Sequence, residues 1–299
     1  MKTGTAEKSE QRLGYASIIA AAALFGSVFT IARSILVTID PLTLSALTYV
    51  ISGLALVPFG RASFRLGSSK EYAYIIIVSL LGAAAAPALL LYGLSMSSSS
   101  DASILSNAEM IFTIILSAVF FGERPKGHGG IAGVIIVIIG LTIATTDLKF
   151  SGTLFELKIG NLLVLASMLM WAVDNNFSRK LTISSTASPA KIAMMKSLIG
   201  GAILLSVALA LGAGPRIVSI SPKDWVVIVL MSVSGFGAAL LLFLTALKRI
   251  GTVRTMTGFS MTPVFGIAIA VILGGESISA FQVSATAMII GGIYLASRR

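Results

Sequence analysis

The chain has 299 residues, 56% of them hydrophobic and 11% charged, with a mean hydropathy of +0.97. A soluble domain carries about 25% charged residues, so the composition excludes a soluble globular protein and identifies an integral membrane protein. Cysteine is absent, which excludes disulfides and cysteine-based metal sites. The formal charge of +10 reflects where the 22 basic residues lie relative to a membrane and implies no nucleic-acid partner.

A spanning helix needs roughly 20 mainly apolar residues. Ten such stretches follow one another: 13–38, 41–59, 72–94, 99–121, 128–146, 159–181, 190–212, 223–247, 251–273 and 279–297. The first follows the polar segment MKTGTAEKSEQRLG without a convincing cleavage site, so it is expected to be a retained span, not a removed signal peptide. It carries Phe25 near its middle and Arg33 further along. In the third, near Tyr92, Pro87 interrupts the helix and frees a backbone carbonyl for a kink, a hinge or a substrate contact; Pro263 does the same in the ninth.

The fourth span starts near Asp101, at a depth similar to that of Arg33, so the two are expected to form a gate or a static tie. Its middle, SILSNAEMIFTIIL, holds Glu109 about ten residues from either end. An ionised acid at that depth costs roughly 2.5–3.5 kcal/mol on insertion scales. It must therefore face a wet cavity, meet a cation or hold a proton. The functional reading is a proton carrier or an anchor for a substrate ammonium; the structural one is an interhelical hydrogen bond. Asn107, two residues away, lies about 200° around the helix and fits packing better than binding. Glu123 and Glu276 follow the fourth and ninth spans and suit the exposed N–H groups of the next helix.

The fifth span opens beside His128, the sole histidine, with no second His or any Cys to complete a metal site. Gly129 and Gly133 form a GxxxG there. The sixth holds WAVDNNFSRK, where Trp171 stands three residues before Asp174 on a similar face. An aromatic ring beside an acid suits an organic cation; the alternative pairs Asp174 with Arg179 or Arg254. Phe25, Tyr92 and Phe265 are candidate apolar walls. Spans five and ten, free of buried charge and rich in small residues, are expected to be scaffold or to contact a second protomer in a homodimer.

Lys and Arg in the loops split seventeen to four, with Lys196 counted on the majority side and only Lys149, Lys158, Arg216 and Lys223 on the other. By the positive-inside rule both termini are cytoplasmic. The halves echo each other: Phe112 and Gly122-Glu123 recur as Phe265 and Gly275-Glu276, 153 residues on, and LFGSVFTIAR (24–33) aligns with MWAVDNNFSR (170–179). Five helices is an odd number, so the second copy, residues 148–299, must be inverted relative to the first, residues 1–147. The expected fold is an all-α membrane protein of ten transmembrane helices in two inverted five-helix repeats, which makes a transporter the leading reading.

LFGSVFTIAR, FFGERPKGHGGIAGVIIVIIGLTI and MTPVFGIAIAVILGGESISAFQ resemble the EamA-type families of the drug/metabolite transporter superfamily. The resemblance implies export of amino acids, amines or other metabolites, often coupled to protons, through a cavity lined by helices 1, 3, 4, 6, 8 and 9. Phe25-Gly26 departs from the Trp-Gly that members often carry there, while the second half has Trp171-Ala172. The chain is expected to be a multi-pass exporter of the cytoplasmic membrane, possessing no enzymatic activity, cofactor or metal, with a small-molecule substrate and membrane lipid as partners. The alternatives are an intramembrane enzyme acting on lipid groups and a non-catalytic membrane scaffold.

Overall fold

The structure, a computed structural model, describes residues 2–60, 64–96, 108–122, 127–146, 159–262, 264–266, 268–269 and 280–297. Among these residues the regular elements are all helical. Helix α1 (Lys2–Ile35) runs about 50 Å at 1.5 Å per residue and takes in the polar N-terminal segment. Asp40 then caps α2 (Pro41–Leu56), accepting from the Thr43 N–H at 3.0 Å, with Pro41 in the first turn where no N–H is needed. Helix α2 is buried on most of its surface, which makes it a core element.

Ser68 caps α3 (Ser69–Leu80), which passes through a π-helical segment (Leu81–Ala85) into α4 (Ala86–Met96). Pro87 supplies the cause: its ring clashes with the carbonyl four residues back and it has no N–H to give, so the preceding turn widens. Helices α5 (Ala108–Phe121) and α6 (Gly127–Thr146) complete the first half. In the second half come α7 (Ile159–Ser184), α8 (Pro189–Ala210), a short α9 (Gly214–Val218) and α10 (Pro222–Leu230). A second π segment (Met231–Ala238) leads into α11 (Ala239–Ile250). It has no proline; Ser232 and Ser234 instead donate back to the Ile228 and Leu230 carbonyls at 2.6 and 2.7 Å, competing with the helical ladder among glycines. Gly251, at φ 81, turns the chain into α12 (Thr252–Phe259), and α13 (Ala280–Ser297) is last. Among the described residues three stretches are long and apolar enough to cross a membrane: Ser69–Gly93, Pro189–Ala210 and Pro222–Ile250. Pro41–Leu56, Ala108–Phe121, Gly129–Gly140 and Val283–Gly292 are shorter apolar helices.

The packing is reciprocal. Helix α2 lies against α8, α6 against α13, and α5 against α12; α1 lies against α11 while α4 lies against α7. At the α2–α8 crossing Gly53 abuts Leu198 and Gly201 abuts Val50, and each second-half residue stands 148 positions after its first-half counterpart. At the α6–α13 crossing Gly140 abuts Ile289 and Gly292 abuts Val137, with an offset of 152. Of the GxxxG pair, Gly133 backs onto Gly292, whereas a side chain at Gly129 would meet open space.

Candidate functional site

The helices line a partly open cavity. Its polar wall is built mainly by α7, which carries Trp171, Asp174 and Asn175, with Glu109 from α5, Tyr49 from α2, Lys196 from α8 and Gly82 from the first π segment. Its apolar wall comes from Phe25 of α1 and from Phe236, Phe243 and Phe259.

Gly82 is the keystone. The N–H of Ala86 bonds to the Leu81 carbonyl, and Pro87 has none to give, so the Gly82 carbonyl is left to side chains. Trp171 Nε1 donates to it at 3.0 Å and Tyr49 Oη at 3.2 Å. A Cβ at Gly82 would lie 2.1 Å from Asp174 Oδ2, so the absent side chain is what gives the carboxylate its seat.

Asp174 and Lys196 are 1% and 3% exposed. The Lys196 ammonium donates to Asp174 Oδ2 at 2.5 Å, and Ser178 Oγ donates to Oδ1 at 3.1 Å. A buried pair of this kind is expensive to desolvate and still more expensive to break. Glu109, by contrast, has an amide partner: Asn175 Nδ2 donates to Oε1 at 2.9 Å. The neighbouring Asn176 amide donates to the Thr113 and Ala172 carbonyls at 3.2 and 2.8 Å, tying α7 to α5.

The rings touch one another around the space. Phe25 lies 5.5 Å from Phe259, 5.6 Å from Phe236 and 6.5 Å from Trp171, the last two edge-on. Tyr49 meets Phe236 at 5.5 Å and Phe243 meets Phe259 at 5.2 Å.

Of the residues singled out in the sequence, Glu109, Asp174, Trp171 and Phe25 thus meet at one cavity. Tyr92 does not: Gly93 backs onto Gly160 and Val164 of α7, so its neighbour on the helix turns outward and is 42% exposed. Phe265 does not line the cavity either; its Cβ sits where α1 passes closest, beside Gly26. Asn107, Asp101, Pro263, Glu123 and Glu276 lie outside the described residues; for Arg33 and His128 the helix, but not the side chain, is described. Asp174 pairs with Lys196, and the Arg179 guanidinium donates to the Leu247 carbonyl at the end of α11.

The sequence reading missed Lys196, Asn175, Tyr49, Gly82 and the three further phenylalanines. Lys196 had a signal: it stands seven residues inside an apolar helix, where a base needs an acid. Counting it as a loop residue hid that. At one end of the bundle, Glu71 accepts from Ser185 Oγ at 2.7 Å and from the Gly67 N–H at 3.1 Å. At the other end Arg216 reaches Asp40 at 3.2 Å. Partial burial alone would raise the Asp40 carboxyl, but hydrogen bonds from Thr43 and the Arg216 guanidinium outweigh it and hold the group below its ordinary range.

Fold and site together define a class: a helical membrane protein whose spans surround a charged, aromatic-lined cavity, as those of small-molecule carriers do. The description of the EamA-like transporter family matches residues 12–146 and again residues 158–298, and the chain belongs to that family. A protein of Methanothermobacter thermautotrophicus described as an "Uncharacterized transporter" is 29% identical over 94% of this chain and 85% of its own length. A "Probable amino-acid metabolite efflux pump" of Escherichia coli (strain K12) is 29% identical over 65% of this chain and 66% of its own. A chain of known crystal structure shares the fold at a TM-score of 0.75 with 20% identity, over 97% of this chain and 96% of that one.

Proposed function

We infer that the chain is a ten-helix secondary transporter that exports small metabolites, such as amino acids or organic amines, across the cytoplasmic membrane. It works by alternating access between two inverted five-helix repeats, residues 1–147 and 148–299, with both termini cytoplasmic. The observation that carries this reading is Glu109, an acid on the cavity wall that accepts from the Asn175 amide, while the nearby Lys196 is held by Asp174. Such a carboxylate holds a proton or a substrate ammonium in turn, which is the exchange that proton-coupled export requires.

The reciprocal glycine contacts and the twofold match to the family support the repeat. So do matched landmarks 153 residues apart: the helix caps Ser68 and Ser221, and Gly82 and Gly235 within the two π segments. Moving Lys196 from a loop to the interior leaves the basic split at sixteen to four, so the orientation argument keeps its force. The name of the Escherichia coli relative favours amino-acid metabolites.

The test is exchange across proteoliposomes loaded with amino acids, amines or sugar phosphates, with and without a pH gradient, for wild type and Glu109→Gln. Movement of one class that responds to the gradient in wild type but not in the variant is the expected result. A variant that keeps the wild-type response would make Glu109 a packing residue, and no movement of any solute would count against transport.

A further inference from the structure

The charge arithmetic of the cavity narrows the substrate. Among the described residues three ionisable side chains other than Tyr49 line it: Glu109, Asp174 and Lys196. Lys196 is engaged by Asp174 at 2.5 Å, with both groups almost wholly buried. Drawing that ammonium away to meet a substrate carboxylate would strand Asp174 as a buried, uncompensated charge. The pair is therefore a fixed, neutral part of the wall, and a substrate carboxylate entering the cavity finds no free cation among the described residues that line it. It would instead face Glu109.

A substrate ammonium meets the opposite situation. Glu109 offers it a carboxylate, and Phe25, Phe236, Phe259 and Trp171 surround the space with ring faces and edges. Aromatic rings attract cations and bury apolar groups alike. The other titratable groups around Glu109 are Asp174 on α7, Lys196 on α8 and Tyr49 on α2, while Thr113 and Met256 approach the Asn175 amide that holds it. With the Asp174–Lys196 pair neutral and the Tyr49 hydroxyl protonated, Glu109 alone sets the net charge of the described lining.

We propose that the cavity takes a monovalent organic ammonium bearing an apolar or aromatic group and no carboxylate, in one-for-one exchange with a proton on Glu109. Binding breaks the O–H bond of the Glu109 carboxylic acid, the proton leaves to water on the side from which the amine entered, and the carboxylate pairs with the ammonium. Release of the amine on the far side lets Glu109 take a proton there. One positive charge crosses each way, so the cycle moves no net charge. This inference rests on the carrier reading of the cavity and separates amines from the amino acids that reading also admits.

The test compares phenethylamine with L-phenylalanine, which differ by one carboxyl group. Isothermal titration of the purified full chain, in two buffers of different ionisation heat and at a pH acidic enough to protonate Glu109, reads affinity and proton release together. Phenethylamine is expected to bind at least about tenfold more tightly than phenylalanine, the factor associated with one charge-assisted hydrogen bond, and to release close to one proton. Glu109→Gln is expected to lose the same factor or more and to release none. In proteoliposomes, amine movement should follow the pH gradient and ignore a membrane potential set with potassium and valinomycin. Phenylalanine binding as tightly as phenethylamine, no proton release from wild type, or transport that follows the potential would each overturn the proposal. Failure of both probes to bind overturns it too, while movement of any other solute in the exchange assay would leave the carrier reading standing. If Glu109→Gln does not fold, the wild-type proton count and the affinity ratio decide.

Discussion

Gly82→Ala is the sharpest test of how the site is built. The new Cβ would lie 2.1, 2.2 and 2.7 Å from Asp174 Oδ2, Cγ and Oδ1, distances that real Cβ atoms do not adopt. The carboxylate cannot step aside cheaply, because Lys196 holds one oxygen at 2.5 Å and Ser178 the other at 3.1 Å. Overpacking alone costs about 1–3 kcal/mol, and breaking a buried ion pair costs about 3–5 kcal/mol. Against this, alanine is favoured over glycine in a helix by about 1 kcal/mol. The net expectation is a loss of roughly 3–7 kcal/mol, read as a lower Tm in detergent by fluorescence-monitored size exclusion. Gly129→Ala is the matched control: its Cβ meets nothing within 4 Å, so it should be neutral or stabilising by up to about 1 kcal/mol. A Gly82→Ala protein as stable as Gly129→Ala would refute the seating of Asp174 on the π segment.

Two further substitutions probe the donors and the rim. Tyr49→Phe removes one of two donors to the Gly82 carbonyl and should cost about 1 kcal/mol, whereas Tyr49→Phe with Trp171→Phe leaves that acceptor bare and should cost more than the sum of the singles in a thermal double-mutant cycle. Asp40→Ala removes a helix cap and should cost about 1 kcal/mol, while Arg216→Ala should cost under about 0.5 kcal/mol, since the guanidinium is 62% exposed. Because the folded Asp40 carboxyl lies below its ordinary 3.8, its contribution is complete above that pH and is lost as pH falls through the lowered folded value. The stability gap between wild type and Asp40→Asn should therefore be flat near neutrality and narrow in acid, as followed by urea or thermal unfolding.

What was legible in the sequence was whatever contradicted its surroundings. Glu109 and Asp174 stood out because acids are expensive in apolar helices, and Trp171 because it sits beside one of them. Depth along a helix can be counted from a sequence, but direction around it cannot, so of the candidate apolar walls Tyr92 and Phe265 lie away from the cavity while Tyr49 and Phe236 line it. Pro87 pointed to a freed carbonyl. Its address, Gly82, depended on the π winding, and no periodicity in LGAAAAPALL displays that. Lys196 was hidden by a rule applied at the wrong boundary, seven residues inside the helix that begins at Pro189.

The frame is duplicated where the chemistry is not, and that contrast makes a last prediction. Phe25 and Trp171 occupy matching positions 146 residues apart and meet edge-on at the cavity wall. Gly82 seats Asp174; its counterpart Gly235 seats Val28, and Val28 is the position that matches Asp174. By the same alignments Lys196 matches Thr48, 148 residues earlier, and Glu109 matches Thr262, 153 residues later. Each charge in the cavity therefore stands opposite a neutral residue, and Val28 and Thr48 are themselves buried. The protein thus already contains uncharged residues suited to the positions of its ion pair. Asp174→Val or Lys196→Thr alone strands one buried charge and should cost about 3–5 kcal/mol. Together they remove both charges, and replacing a buried pair by neutral residues of similar fit is often neutral or stabilising. The double variant should recover most of the Tm lost by either single one, by fluorescence-monitored size exclusion. A double variant no more stable than the worse single one would mean that the pair does more than neutralise itself, and would undo its assignment as a fixed neutral wall.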